Sequence, residues 1–204
     1  MRNKMLARLQ VAEDYSLLDK SDSILIVIDV QDSFLQKLGQ PVANRVVERI
    51  RWLIAVAKWM EIPIVVTAEE IANRGRTTQA ILDMLPQSVR EYDKNVFGLP
   101  GQEDIYAEVA AIDRKTAIVV GLETDVCVLH TALGLASEGY RVAVVADATA
   151  SPDIGHDIGL ERLRNAGITL VSTKSLFFEW ARDLKTCYQY VDEGELQSPA
   201  DLFI

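Results

Sequence analysis

The sequence predicts an α/β domain: a doubly wound, mostly parallel β-sheet flanked by helices on both faces. Three observations carry this prediction. Short, uninterrupted β-branched runs recur along the chain, segments with helical apolar spacing lie between them, and glycines stand where helices hand over to strands. The chain has 204 residues, 49% hydrophobic and 25% charged, with 11 Gly and 6 Pro. That composition suits a domain with a substantial core and excludes a disordered or fibrous chain.

The elements follow in order. Ile24 to Ile28 is an unbroken apolar run ending at Asp29, and Pro63–Thr67, Thr116–Val120 and Val142–Ala146 repeat its character. Ile168–Val171 is a weaker fifth run. Runs this short suit strands buried on both faces. From Val42 to Glu61, residues Val46, Ile50, Leu53, Ile54 and Ala57 fall on one helical stripe. Glu103–Ala111, Val126–Glu138 and Asp153–Ala166 read as further helices. Ser151-Pro152-Asp153 reads as a helix start, with Ser151 capping, Pro152 in the first turn and Asp153 at the positive end of the dipole. Gly139 and Gly167 stand where C-terminal glycines stand. The expected division is a helical extension over 1–22, the α/β domain over 23–181, and a tail over 182–204. Tyr188, Tyr190, Leu202 and Phe203 would pack that tail on the domain or on a neighbouring subunit.

Formal net charge is −9, and Lys and Arg are scattered among acidic residues, so nucleic-acid binding is set aside. Two cysteines, Cys127 and Cys187, make no disulfide framework and fit a reducing compartment. The first residues lack the apolar core of a signal peptide, and no window has the apolar length of a membrane span. A soluble, cytoplasmic protein with no membrane partner is expected.

In doubly wound sheets ligands sit at the carboxyl ends of strands, so chemistry is sought just past each apolar run. After the first comes Asp29-Val30-Gln31-Asp32-Ser33-Phe34, with no glycine-rich turn for a pyrophosphate. No P-loop pattern occurs either. An Asp here is as readily a turn cap as a functional group. Gly121-Leu122-Glu123-Thr124-Asp125-Val126-Cys127-Val128 places Cys127 in a first helical turn, where free N–H groups and the dipole favour a thiolate and could hold an oxyanion. The alternative is a small buried cysteine packing the helix on the sheet. In Tyr92-Asp93-Lys94-Asn95-Val96-Phe97-Gly98, Lys94 is either a solvated partner of Asp93 or an ammonium that completes a nucleophile–base set.

These segments, in this order, resemble the isochorismatase-like cysteine hydrolases, which include nicotinamidases and N-carbamoylsarcosine amidases. The likeness rests on D-x-Q-x-x-F at Asp29–Phe34, Lys94 before x-x-F, G-x-x-T-D-x-C-V at Gly121–Val128 and Thr131-Ala132. Asp147-Ala148, Ser151 and His156 add to it, over roughly 23–180. The resemblance implies a Rossmann-like three-layer sandwich with Cys127 as nucleophile, Asp29 as its proton acceptor and Lys94 as electrostatic helper. It implies a non-proline cis peptide between Leu122 and Glu123, and an oxyanion hole from the N–H groups of Glu123 and Cys127. Phe34 and Phe97 are the choices for apolar pocket walls. The implied reaction is thioester-mediated cleavage of a small amide or carbamoyl compound by a closed homo-oligomer.

The chain departs from the nicotinamidases in lacking their Asp-x-His metal ligands. The matching stretch is Thr67-Ala68-Glu69-Glu70-Ile71-Ala72-Asn73-Arg74-Gly75-Arg76. His130 and His156 are the only histidines, both on later helices, so neither metal nor cofactor is expected. Glu69, Glu70, Arg74 and Arg76 read more readily as a solvated loop than as substrate contacts. Phe97-Gly98-Leu99-Pro100 also lacks the family's F-S-x-F. Two rival readings remain: a non-catalytic small-molecule binding or scaffold protein on the same fold, and a redox role in which Cys187 approaches Cys127.

Overall fold

The computed structural model describes residues 17–202. The helical extension expected over 1–22 lies outside them up to residue 16, as do Phe203 and Ile204 at the end of the tail. Residues 17–22 are not helical. Asp19 Oδ1 accepts from the N–H and hydroxyl of Ser21 (2.8 and 2.6 Å), and this local turn leads into the first strand.

In chain order the elements are β1 (Ser23–Ile28), α1 (Asp32–Leu35), α2 (Gln40–Trp59), β2 (Ile64–Glu69), α3 (Ile71–Arg74), α4 (Gln79–Leu82) and β3 (Glu91–Lys94). Then follow α5 (Glu103–Ala111), β4 (Thr116–Leu122), a π turn (Thr124–Val128), α6 (Leu129–Ser137), β5 (Arg141–Ala150), α7 (Gly155–Asn165), β6 (Thr169–Val171), α8 (Thr173–Ala181) and α9 (Leu184–Glu193). The six strands form one parallel sheet in the order β3-β2-β1-β4-β5-β6. This is the doubly wound, three-layer arrangement that the alternation of runs and stripes predicts.

The alternation of side chains across each strand splits the core in two. Leu25 and Val27 of β1 join Trp52, Phe177 and Tyr190 on one face, while Ile24, Ile26 and Ile28 join Val109, Leu129 and Leu135 on the other. The tail described up to Leu202 packs on its own domain. Arg49 of α2 pairs with Asp201 (2.7 Å), Lys58 with Glu195, and Leu202 is buried.

Three local features differ from expectation. β3 is a sixth strand without an apolar run, which an edge position with a single neighbour permits. Two helices follow residue 172: Ser172 caps α8 in a reciprocal box with Ser175, and Asp183 caps α9 through Thr186 N–H. Ser151 does not cap a helix. α7 starts at Gly155, and the Ser151 hydroxyl instead donates to Asp125 Oδ1 at 2.6 Å, tying β5 to the π turn.

β1 and β4 are neighbours, but the chain leads from β1 to β2 on one side and from β4 to β5 on the other, which leaves a crevice at their carboxyl ends open to ligands. Their approach is tight. Gly121 has φ +119°, and a Cβ there would lie 2.0 Å from Ile28 O, so no other residue fits.

Candidate active site

Four strand ends meet in that crevice. Asp29 follows β1, Glu69 closes β2, Lys94 closes β3, and Cys127 sits in the π turn after β4. Asp29 takes the left-handed conformation (φ +50°) and donates its N–H to Thr67 O at 3.0 Å. Its Oδ1 accepts from the Thr67 hydroxyl at 2.7 Å, and its Oδ2 lies 2.8 Å from Lys94 Nζ. Both side chains of this ion pair are fully buried. Lys94 Nζ also donates to Val96 O (2.5 Å) and Phe97 O (3.1 Å), so two carbonyls hold the ammonium beside the carboxylate. Lys94 is therefore no solvated surface residue. Burial pushes the Asp29 carboxyl above the usual carboxylate range, and the Lys94 ammonium opposes that shift.

Cys127 is 3% exposed, and its thiol donates to Glu69 Oε2 at 3.2 Å. Burial, and then the Asp29 charge, push this thiol far above its ordinary range, with Lys94 opposing and Glu69 adding to the rise. The thiolate expected from a helical first turn is thus not the resting state. Desolvation between two carboxylates outweighs the backbone N–H groups of one short turn.

Glu69 is the residue that sequence reasoning missed. It was grouped with a solvated loop, yet it is 7% exposed. Gln31 clamps its backbone from both sides, donating to Glu69 O at 2.8 Å and accepting from Glu69 N at 2.7 Å. Arg74 Nε holds Oε1 at 2.9 Å. The available signal was positional: Glu69 ends an apolar strand, as Asp29 follows one. Its loop neighbours are different. Glu70 is half-buried at the start of α3 and pairs with Arg74 at 3.4 Å, and Arg76 pairs with Glu91 at 2.6 Å.

Above Cys127 lies a cavity of about 180 Å³, with Phe34, Phe97 and Val126 as its apolar lining. Phe97 is half exposed at the rim, and Phe34 is buried beneath two cations, Lys37 Nζ (4.5 Å from the ring centroid) and the Arg74 guanidinium (5.3 Å). Lys37 also pairs with the Glu123 carboxylate at 3.0 Å, so two ion pairs frame the mouth. A larger hollow of about 490 Å³ beside α1 and α2 has neither a cysteine nor a buried ion pair in its lining.

The turn carrying the thiol is braced from behind. The Leu122–Glu123 peptide bond is cis. Thr124 Oγ1 lies 2.9 Å from His156 Nδ1, and Asp125 binds Ser151, so both point away from the cavity's nucleophile. A Cβ on Gly159 of α7 would come within 2.9 Å of Asp125 N, so the helix packs directly on the turn. His130 packs edge-on against Phe97. The departure at Gly98 has a similar cause: a Cβ there would stand 2.9 Å from His130 O, leaving no room for serine without a shift.

No metal was expected from the placement of the histidines, yet three other donors gather at the site. Asp29, Glu69 and Cys127 bring three donor atoms within 4.8 Å of one another. The Lys94 ammonium, 2.8 Å from Asp29, already supplies the positive charge there, so this set fits a metal poorly. Cys127 and Cys187 are both free and belong to cores on opposite faces of the sheet, which separates them and removes support for the redox reading.

Comparison with known proteins bears on this geometry. The sequence profile of the isochorismatase domain matches residues 23–175. A secreted isochorismatase effector, Isc1 of Phytophthora sojae, is 33% identical over 165 residues, covering 79% of this chain and 78% of that protein. Among solved structures, YcaC from Pseudomonas aeruginosa, described with hexane-2,5-diol and covalent acrylamide, superposes with a TM-score of 0.78 at 26% identity. It covers 84% of this chain and 86% of its own. Escherichia coli YcaC, described as an octameric hydrolase of unknown specificity, has a TM-score of 0.76 at 26% identity, covering 84% and 85%.

Proposed function

The chain belongs to the isochorismatase family, and from that premise we propose that it is a metal-independent cysteine amidohydrolase. It cleaves a C–N bond in a small amide or carbamoyl compound through a thioester on Cys127. One observation carries this reading: a cavity floored by the Cys127 thiol, with the buried Asp29–Lys94 pair behind it.

Because the resting thiol is protonated, attack and deprotonation are coupled. Asp29 takes the Cys127 proton as sulfur bonds to the carbonyl carbon, and its raised basicity suits that task. Lys94 holds Asp29 in place and offsets the charge building around it. The N–H groups of Glu123 and Cys127 take the oxyanion. The C–N bond then breaks, the amine leaves with the proton from Asp29, and water hydrolyses the thioester. Phe34 and Phe97 wall the substrate, and about 180 Å³ of space favours a compact amide. No cofactor enters this scheme.

Assembly into a homo-oligomer belongs to the same reading, supported by the octameric description of the E. coli relative and by an apolar stripe on α9. Cytoplasmic residence is supported by the two free cysteines. Among the described residues no helix is long and apolar enough to cross a membrane.

The test is ammonia release from a panel of small amides, carbamoyl compounds and ureas, with Cys127→Ser as control. We expect turnover in the parent and a fall of about 10³-fold or more in the variant, with its thermal midpoint little changed. Asp29→Asn is a poorer control, because it strands the buried Lys94 charge at a cost of about 3–5 kcal/mol. The rival, a non-catalytic binding protein, draws support from the protonated thiol. Equal background rates for parent and Cys127→Ser across the panel would decide for it.

A further inference from the structure

Thioester chemistry needs a second proton transfer, to activate water, and the structure assigns it to a residue not used above. We propose that Glu69 is the general base of deacylation. The inference rests on the Cys127 nucleophile of the preceding section.

Acylation changes the hydrogen bonds around the sulfur. In the resting site the Cys127 thiol donates to Glu69 Oε2 at 3.2 Å. Once sulfur carries an acyl group, that hydrogen is gone. Oε2 is then a buried acceptor without its donor, on an oxygen adjoining the acylated atom. A buried carboxylate oxygen stripped of its partner draws water, and a water there stands between Oε2 and the acyl carbon. The chemistry of the first step thus prepares the second.

Asp29 is less suited to that role. Acylation also removes its contact with the Cys127 thiol, but its Oδ1 still accepts from Thr67 and its Oδ2 still faces Lys94, so both oxygens keep a partner. Glu69, by contrast, has one oxygen anchored by Arg74 at 2.9 Å and the other aimed at sulfur. The Gln31 clamp on both ends of its peptide fixes where the side chain starts. Glu69 also lines the cavity, within reach of water entering past Phe97.

In the proposed step, Glu69 takes a proton from water as the oxygen bonds to the thioester carbon. The resulting tetrahedral species collapses with cleavage of the C–S bond and departure of the acid. The Cys127 thiolate then takes the proton from Glu69, restoring the resting hydrogen bond. Nothing else is consumed.

The experiment uses p-nitrophenyl acetate as acyl donor with the full chain and its Glu69→Gln, Glu69→Asp and Cys127→Ser variants. The parent is expected to release p-nitrophenolate in a Cys127-dependent reaction. Glu69→Gln should release one equivalent per chain rapidly, then continue at least ~100-fold more slowly, with acetylated Cys127 visible by intact-mass spectrometry. Glu69→Asp should recover part of the slow phase. The parent's slow phase should also show a carboxylate ionisation in its pH profile that Glu69→Gln lacks, which a purely structural role would not produce. A Glu69→Gln enzyme that turns over at the parent rate overturns the assignment, as does one that loses the first turnover along with the rest. A parent no faster than Cys127→Ser has a different signature: the nucleophile itself fails, and both readings fall.

Discussion

The proton on Cys127 decides how this site is to be probed. Its thiol is pushed far above an ordinary value near 9.0 because it is buried between Asp29 and Glu69. A thiol that binds its proton more tightly folded than unfolded contributes stability that is fully present below the unfolded value. That contribution is lost as pH rises above it, since the unfolded chain then releases the proton first. The expected result is a thermal midpoint that falls above about pH 9, less steeply in Cys127→Ser. Alkylation of Cys127 by a small neutral reagent should be slow at pH 7 and still climbing at pH 10. A plateau reached near neutrality would contradict this picture. At this scale Asp29 and Cys127 stand where the fold rule looks, just past an apolar run, whereas Lys94 ends a strand with no such run and was singled out by the family resemblance. Glu69 was singled out by neither. Glu-Glu followed by Arg reads as solvated charge, and only the buried register of β2 distinguishes the first glutamate from the second.

At the scale of elements, the apolar runs marked five of the six strands within a few residues, because the strands covered on both faces are mostly apolar and the edge strand β6 still carries a short apolar run. β3 escaped because Glu91-Tyr92-Asp93-Lys94 serves an edge, where polar side chains are admissible. The start of α7 was misplaced for another reason. Ser151 has the right chemistry to cap, but a partner across the fold, Asp125, took its hydroxyl. Tertiary pairing overrode a local rule. Gly121 shows the reverse, where one residue limits how two elements meet. Gly121→Ala combines a strained φ with a Cβ 2.0 Å from Ile28 O, so it should cost on the order of 3 kcal/mol or more. Chemical denaturation of this variant checks it. A midpoint equal to the parent's would mean that β1 and β4 can part more easily than their register suggests.

At the scale of the molecule, two cores on one sheet leave some apolar surface uncovered. On α9, Leu184 (69% exposed), Tyr188 (65%) and Val191 (43%) fall at i, i+4 and i+7, while Cys187 and Tyr190 on the other side are buried. One helix thus has an apolar face on the domain and a second facing outward. Light scattering should give a mass that is a multiple of the chain, and Leu184→Glu with Tyr188→Glu should lower it. A parent that runs as a monomer at all concentrations would remove assembly from the proposed function. The sequence marked an apolar tail but not which side of it faced out, because that is set by the packing of Tyr190 on Trp52 and Phe177 across the fold.

The order of strands in the sheet has a consequence for how the protein acquires its activity. Asp29, Glu69, Lys94 and Cys127 come from four separate strand–loop units, and Lys94 arrives on the outermost of them. Every pairing is parallel and so joins chain segments far apart in sequence, contacts that form late and slowly as a chain collapses. A half-formed sheet containing only β1 and β4 would already hold Asp29 and Cys127 near each other, without the ammonium that makes a buried carboxylate tolerable. The chemistry is therefore confined to the finished molecule, and reactivity at the crevice reports completion of the sheet out to its edge.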